Sequence, residues 1–348
     1  MDNRDFIIVG AGIAGTSLAE QLRRRGKSFV IIDSGQATAT AVAGGVVNPV
    51  VVKRLNPVWR AAEFLKYARS FYWEMSQSLA INFLQELQLH RPFEHVGEQN
   101  NWMAVSDRPD LVEFLDTQIQ TNRNSGLKAD HGMGVVKGTF RLDTTTLLNG
   151  YKAWLVSQDL LIQERFEHEL LRFERSKWVY KQFEAGRIIF AEGYQVLNNP
   201  YWQLDALIPK KGEYLIVHSP QLKLQNMLKG RFFIIPLGDD HYQVGATFAH
   251  GDSTLDATDQ GTEQMLDYLN QALKVDFEIV DQLVGMRPTV SDRRPLIGKH
   301  PQYENMAFLN GMGTRGLLMA PLASKWLLDH LEYGKDLPEE VTLERFQN

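Results

Sequence analysis

No cysteine occurs anywhere in the 348-residue chain. That removes disulfides, thiolate metal sites and a cysteine nucleophile from consideration. Long apolar runs are missing too. The most apolar stretch, Gly316 to Leu331, is interrupted by Pro321, Ser324, Lys325 and Asp329, so it cannot span a bilayer. Cationic excess is absent: 37 Lys and Arg against 42 Asp and Glu leave a net charge of −5, which gives no electrostatic reason to expect a nucleic-acid partner. The nine histidines show no metal-ligand spacing, so no metal is expected. P-loop, EF-hand and serine-hydrolase patterns do not occur, nor do repeats or low-complexity tracts. The first apolar run begins within a few residues of Met1, leaving no room for a signal peptide, and a cytoplasmic enzyme is expected.

What remains is an ordinary globular composition, 44% hydrophobic and 23% charged, at a length that suggests two domains. Its clearest feature lies between Phe6 and Asp33. A short apolar run, Phe6 to Val9, enters Gly10-Ala11-Gly12-Ile13-Ala14-Gly15. An amphipathic stretch with Leu18, Ala19 and Leu22 follows, closed by Gly26, and a second apolar run ends at Asp33. This is a strand–helix–strand unit carrying the dinucleotide fingerprint in its required context. Gly10 allows the sharp turn, Gly12 allows backbone to approach a pyrophosphate, and Gly15 allows helix and strand to pack closely. The helix N-terminus offers amides and a positive dipole end to phosphates, and Asp33, with Ser34 beside it, is placed to meet a ribose.

A second glycine-rich turn lies near the other end. Met306 to Leu309 reads as a strand, then Asn310-Gly311-Met312-Gly313-Thr314-Arg315-Gly316-Leu317 turns into a helix running to Leu331. A simple nicotinamide enzyme has no need of a second helix N-terminus aimed at its ligand. A flavin does, because negative charge develops at N1 and the C2 carbonyl when it accepts a hydride.

Between these turns the patterns predict several elements. Asn56-Pro57 reads as the cap and first position of a helix bearing Trp59, Ala62, Leu65, Ala68 and Tyr72 on one face, with a second helical segment over Leu79 to Leu87. Trp102 to Val105 reads as a strand, and Ser106 to Asn124 as a capped helix with Pro109 in its first turn. Asp143 is expected to cap another helix, and strands follow up to Ala191-Glu192-Gly193. From Leu207 the alternation becomes antiparallel, with a turn at Gly238-Asp239-Asp240, then a helix over Thr258 to Leu273.

With these residues in view, the chain resembles the D-amino-acid oxidase and glycine oxidase family of FAD-dependent oxidoreductases over nearly its whole length. The resemblance rests on Gly10 to Gly15 with Asp33, and on Ala43-Gly44-Gly45 followed by Val46. It also rests on Gly212-Glu213-Tyr214, Val244-Gly245-Ala246-Thr247, Gly285-x-Arg287-Pro288 with Asp292 and Pro295, and the final glycine turn. The Gly313-Thr314-Arg315-Gly316-Leu317 run with Ala320-Pro321-Leu322 is similar to the oxidase domain of the bifunctional tRNA wobble-uridine modification enzyme.

The resemblance implies an α/β fold: a Rossmann-like FAD-binding domain of the glutathione-reductase type, from 1–80, 138–205 and 285–348, and an α+β substrate domain with an antiparallel sheet, from 81–137 and 206–284. It implies FAD held non-covalently, since no cysteine is present for a cysteinyl linkage. Gly10, Gly12, Ile13, Ala14, Gly15, Asp33, Ser34, Gly44, Gly45, Val46, Gly193, Gly311, Gly313, Thr314, Arg315, Gly316 and Leu317 are the expected cofactor residues. The implied reaction is oxidation of a small amine or amino acid at its C–N bond, by hydride transfer to flavin N5, with oxygen or another carrier as final acceptor. Arg287 is the candidate carboxylate clamp, with a structural ion pair to Asp292 as its alternative. Arg315 is expected to reach flavin or substrate, and Thr247, Phe248 and Tyr242 to roof the pocket. A tRNA-modifying oxidase acting on carboxymethylaminomethyl-uridine and a non-catalytic flavin-binding protein are the competing readings.

Overall fold

The computed structural model describes every residue except Ala37, His250, Gln347 and Asn348. Strand β1 (Asp2–Val9), helix α1 (Ile13–Arg24) and strand β2 (Phe29–Asp33) form where the apolar pattern places them. Phe6, Ile7 and Ile8 are wholly buried because helices, α1 among them, cover one face of this part of the sheet and Phe166, Val196 and Trp202, from the loops and turns between strands, cover the other. Helix α1 ends in Arg23 and Arg24, which suit its negative dipole end, and Gly26 (φ +64°) stops it in the left-handed region.

β1 lies at the centre of an eight-stranded sheet. On one side it pairs in parallel with β2, which pairs with Leu161–Gln163. On the other it pairs with Phe183–Phe190. That strand divides its free edge. Its first half takes the antiparallel ribbon Lys177–Tyr180 and Arg172–Glu174, and its second half takes Met306–Asn310 in parallel, with Leu296–Lys299 outermost. The carboxyl ends of β1, Phe183–Phe190 and Met306–Asn310 therefore lie side by side, where an open parallel sheet takes its ligand.

The second sheet has seven strands in the order Glu278–Val290, Leu207–His218, His241–Gly245, Phe233–Gly238, Met227–Lys229, Leu89–Pro92 and Met133–Val136. Only Met227–Lys229 and Leu89–Pro92 pair in parallel. Helix Asp259–Ala272 covers one face, burying Met265, Tyr268 and Leu269 against Leu215, Val217 and Val244. Alternation along the strands then sends Tyr214, Ile235, Gln243 and Arg287 to the opposite face, toward the first sheet. The expected change of domain at 285 falls inside the unbroken strand Glu278–Val290.

Several expected elements differ. Asn56-Pro57 caps no helix: it is a short strand against Val50–Val51, and the helix begins at Ala61 after Arg60 in the left-handed region. That helix runs unbroken to Leu79, and Leu84–Gln85 beyond it is extended, not helical. Trp102 to Val105 is the end of helix Val96–Val105 rather than a strand. Ser106 to Asn124 is a series of turns with isolated bridges at Leu115 and Gln120. In this segment tertiary pairing with Met133–Val136 overrides the local helical pattern.

Helix Gly316–Tyr333 carries Pro321 inside it. Proline has no amide to give the carbonyl four residues back. The Tyr72 hydroxyl donates to that carbonyl, on Leu317, at 2.8 Å. The buried Tyr72, Phe71 and Phe64 also pack the long helix Ala61–Leu79 into the same core as the C-terminal helix.

Candidate active site

The two glycine turns meet. A Cβ on Gly316, at the start of the C-terminal helix, would touch Ile13 Cγ2 at 3.1 Å, at the start of α1. Gly10 faces the Ala191 carbonyl at the end of Phe183–Phe190, and the Asn310 side chain donates to the Gly193 carbonyl (2.8 Å). Two helix N-termini thus lie side by side, and neither N-cap, Gly12 or Arg315, supplies a side-chain cap to its own helix. Such a pair of termini suits an anion or a reduced, negatively charged ring.

Within the first turn the glycines do different things. A Cβ at Gly15 would sit on the Gly10 carbonyl oxygen, so this glycine serves the packing of helix on strand. A Cβ at Gly12 would find nothing closer than the Thr38 and Thr40 side chains at 3.9 Å. The protein itself leaves that side of Gly12 open, which fits a pyrophosphate and gives the fold no other reason for a glycine there. The Ile13 amide donates to Thr40 Oγ1 (3.2 Å), and Ala14 follows in the same first turn.

Asp33 is buried and well occupied. Its Oδ2 accepts from the Ala11 amide (2.7 Å), and its Oδ1 accepts from the Gly35 amide and from Lys152 Nζ, both at 3.0 Å. Room for a ribose diol is narrower than the sequence suggests, and the Lys152 ammonium on helix Thr144–Ser157 was not visible in any motif. Ser34 is exposed beside it, its hydroxyl accepting from the Gln36 amide.

The Gly44-Gly45 segment lies between the two sheets. Gly45 has φ +81°, and a Cβ there would sit on the Leu142 carbonyl oxygen. Val46 pairs with the buried Arg141, whose Nε also donates to the Gly44 carbonyl (3.2 Å). Burial pushes that guanidinium's pKa down, with Asp143 opposing. From above, Ile235 and Gln243 close onto Gly44, and Gln243 donates to the Val42 carbonyl (2.8 Å). Sequence reasoning missed Arg141, Ile235 and Gln243, because only strand register brings them here.

Arg287 is buried on the roof face, its guanidinium stacked over Gly212. It donates through Nη1 to the Lys211 and Thr247 carbonyls and through Nη2 to the Tyr214 hydroxyl, all at a long 3.4 Å. Among the described residues no carboxylate pairs with it. The alternative ion pair is not formed, since Asp292 pairs with Arg345 instead (2.8 Å). A buried guanidinium without a carboxylate partner is able to take an anion. Its strand reaches the second glycine turn, where Thr289 bridges Met312 and lies under Gly313.

Thr247 sits beside Arg287 through its carbonyl, while its hydroxyl accepts from the Glu213 amide (3.0 Å). Phe248 is exposed with its ring 4.9 Å from the guanidinium. Tyr242 does not roof the pocket: it points into the opposite core, its hydroxyl accepting from the Leu224 amide. A one-residue offset in a strand reverses the face. Arg315 turns to the Asn48 and Val50 carbonyls (2.6 and 3.3 Å), holding the glycine turn to the Gly44-Gly45 segment. Burial, then the neighbouring Arg293, lowers its pKa to about 10, still charged at neutral pH. Gly311 has φ +74°, Thr314 is exposed, and Leu317 is buried in the first turn of the helix.

The chain is similar to known proteins over nearly its whole length. The family described as FAD dependent oxidoreductase matches residues 5–330. Glycine oxidase of Bacillus licheniformis is 25% identical, covering 93% of this chain and 92% of that protein. The tRNA 5-methylaminomethyl-2-thiouridine biosynthesis bifunctional protein MnmC of Idiomarina loihiensis is 23% identical over 93% of this chain, which spans about half (55%) of that relative's length. The crystal structure of glycine oxidase from Bacillus cereus superposes with a TM-score of 0.78 at 18% identity, covering 96% of each chain. Among the described residues no helix is long and apolar enough to cross a membrane.

Proposed function

The chain belongs to the FAD-dependent oxidoreductase family, and from that premise we propose that it oxidises the C–N bond of a small amine bearing a carboxylate. Glycine, which the name of the Bacillus licheniformis relative gives, is the first model substrate, and sarcosine and D-amino acids are tried beside it. The eight-stranded sheet serves as the cofactor domain and the seven-stranded sheet as the substrate domain. FAD, when bound, supplies the acceptor for the hydride leaving the amine's α-carbon.

The protein's own part is placement. The two helix N-termini and Gly12 hold the pyrophosphate and the ring's negative edge, and Gly44-Gly45 lets backbone lie against the ring. Arg287 pairs the substrate carboxylate with its fork and so fixes which way the α-hydrogen points. Ile235 and Gln243 close the roof and exclude water. No side-chain base is required if the neutral amine is the reacting form. Released imine hydrolyses in water.

The observation that carries the reading is Arg287: a buried cation without a carboxylate, on the face turned to the glycine cleft. The test is anaerobic mixing of the flavoprotein with a panel of glycine, sarcosine, D-amino acids, proline and simple amines. Bleaching of the flavin by carboxylate-bearing amines supports it, and bleaching by none of them rejects it.

A second reading has one observation in its favour. Lys53, Arg54, Arg293 and Arg294 surround the hairpin gripped by Arg315, and none has a carboxylate partner among the described residues. A carboxymethylaminomethyl-uridine in tRNA would place its phosphates on such a rim. Salt-dependent retention of tRNA by the protein favours this reading; no retention at low salt rejects it.

A further inference from the structure

From Thr247 to Ala249 the chain stays paired to the strand Leu207–His218 as a strap that lays Phe248 on Arg287, and a lysine that the proposed reaction does not use pairs with a residue just past it. Lys211 is fully buried (0% exposed), yet it carries an ammonium group. Its Nζ lies 2.6 Å from Asp252 Oδ2 and 3.3 Å from Thr254 Oγ1. Asp252 turns its other oxygen to the Thr254 amide (2.8 Å) and hydroxyl (2.7 Å). A buried ammonium is tolerated only when paired, so this ion pair pins the strap to the strand beneath it.

Three contacts on Arg287 lie beside this ion pair. The Lys211 carbonyl accepts from both the Ala249 amide and Arg287 Nη1, each at 3.4 Å. The Thr247 carbonyl takes Nη1 as well. Phe248 is 63% exposed but keeps its ring 4.9 Å from the guanidinium carbon. With Nη1 turned to two carbonyls, one Nη2 hydrogen given to the Tyr214 hydroxyl and one face under an aromatic ring, Nε and the second Nη2 hydrogen are left for a planar anion.

We propose that Lys211 and Asp252 are positioning residues, and Phe248 a specificity-determining one, in a strap that fixes the rotation of Arg287 so that one edge meets the substrate carboxylate. The proposal rests on Arg287 being the carboxylate clamp. It assigns work to the ion pair of a buried lysine and a half-buried aspartate, neither of which the proposed reaction uses.

The test titrates the FAD-loaded protein with benzoate and acetate, read as perturbation of the flavin's visible absorption. Asp252→Asn and Phe248→Ala are each expected to raise the benzoate Kd by about tenfold. The flavin content and the unliganded spectrum stay as in the unmodified protein. Asp252→Glu, which keeps the charge, recovers most of the affinity. With an oxidisable amino acid the loss falls on KM rather than kcat. If both variants bind benzoate normally while Arg287→Ala does not, the strap is overturned and the clamp stands. If Arg287→Ala also binds normally, the clamp reading fails and takes the strap with it. Should Asp252→Asn not fold, Phe248→Ala, a change at an exposed ring, decides alone.

Discussion

The first glycine turn and the roof over it are built on opposite principles. In the turn, backbone does the work: Gly15 removes a clash and Gly12 leaves space. In the roof, side chains do it: Ile235, Gln243, Tyr214 and Arg287 come from four strands and converge only because the pairing register sends them to one face. The lesson is that cofactor holding is encoded locally and substrate choice is encoded by register. Damage to each should look different.

The largest effect expected is at Gly15. Gly15→Val drives a branched side chain into the Gly10 carbonyl and should cost more than about 3 kcal/mol, leaving little folded protein by circular dichroism. Gly12→Val separates holding from folding. Its Cβ comes no closer than 3.9 Å to the Thr38 and Thr40 side chains, without a clash, so the variant should fold with near-normal secondary structure and contain no FAD after purification. A yellow Gly12→Val protein would remove the pyrophosphate from this site.

Arg287→Ala, on the roof, should do the reverse: full flavin content with kcat/KM for carboxylate-bearing amines down by about 10³, roughly 4 kcal/mol of transition-state stabilisation. Equal losses for amines with and without a carboxylate would make Arg287 merely structural. The smallest effect is away from both regions, at Asp329. Burial alone would raise its pKa, but Lys325, Lys335 and Arg25 outweigh burial and hold it at about 2. A carboxyl lowered by folding stabilises the protein above its unfolded pKa near 4. That contribution, about 1–2 kcal/mol, is lost as pH falls from about 4 to about 2. Asp329→Asn should therefore lower Tm at pH 6 and leave stability at pH 2 nearly unchanged.

How much was legible follows the same division. The strand–turn–helix–strand unit, the second glycine turn and the helix capped by Asp143 could all be read because spacing, caps and apolar periodicity act over a few residues. Asp143 indeed accepts from the Thr146 amide (3.1 Å). The Ser106 to Asn124 segment could not be read, since its pairing partner lies near Met133. Tyr242 was assigned to the wrong face because alternation tells which residues share a face, not which face is the cleft. Lys152, on a helix far along the chain, reaches Asp33 only through the fold.

The chain passes between its two sheets at four places, between residues 33 and 89, 136 and 161, 190 and 207, and 290 and 296. Severing any one connection leaves three others in place, so the halves resemble a laced seam more than two beads on a string. Floor and roof must accordingly be acquired together, and neither could have been exchanged for a foreign module by a single cut and join.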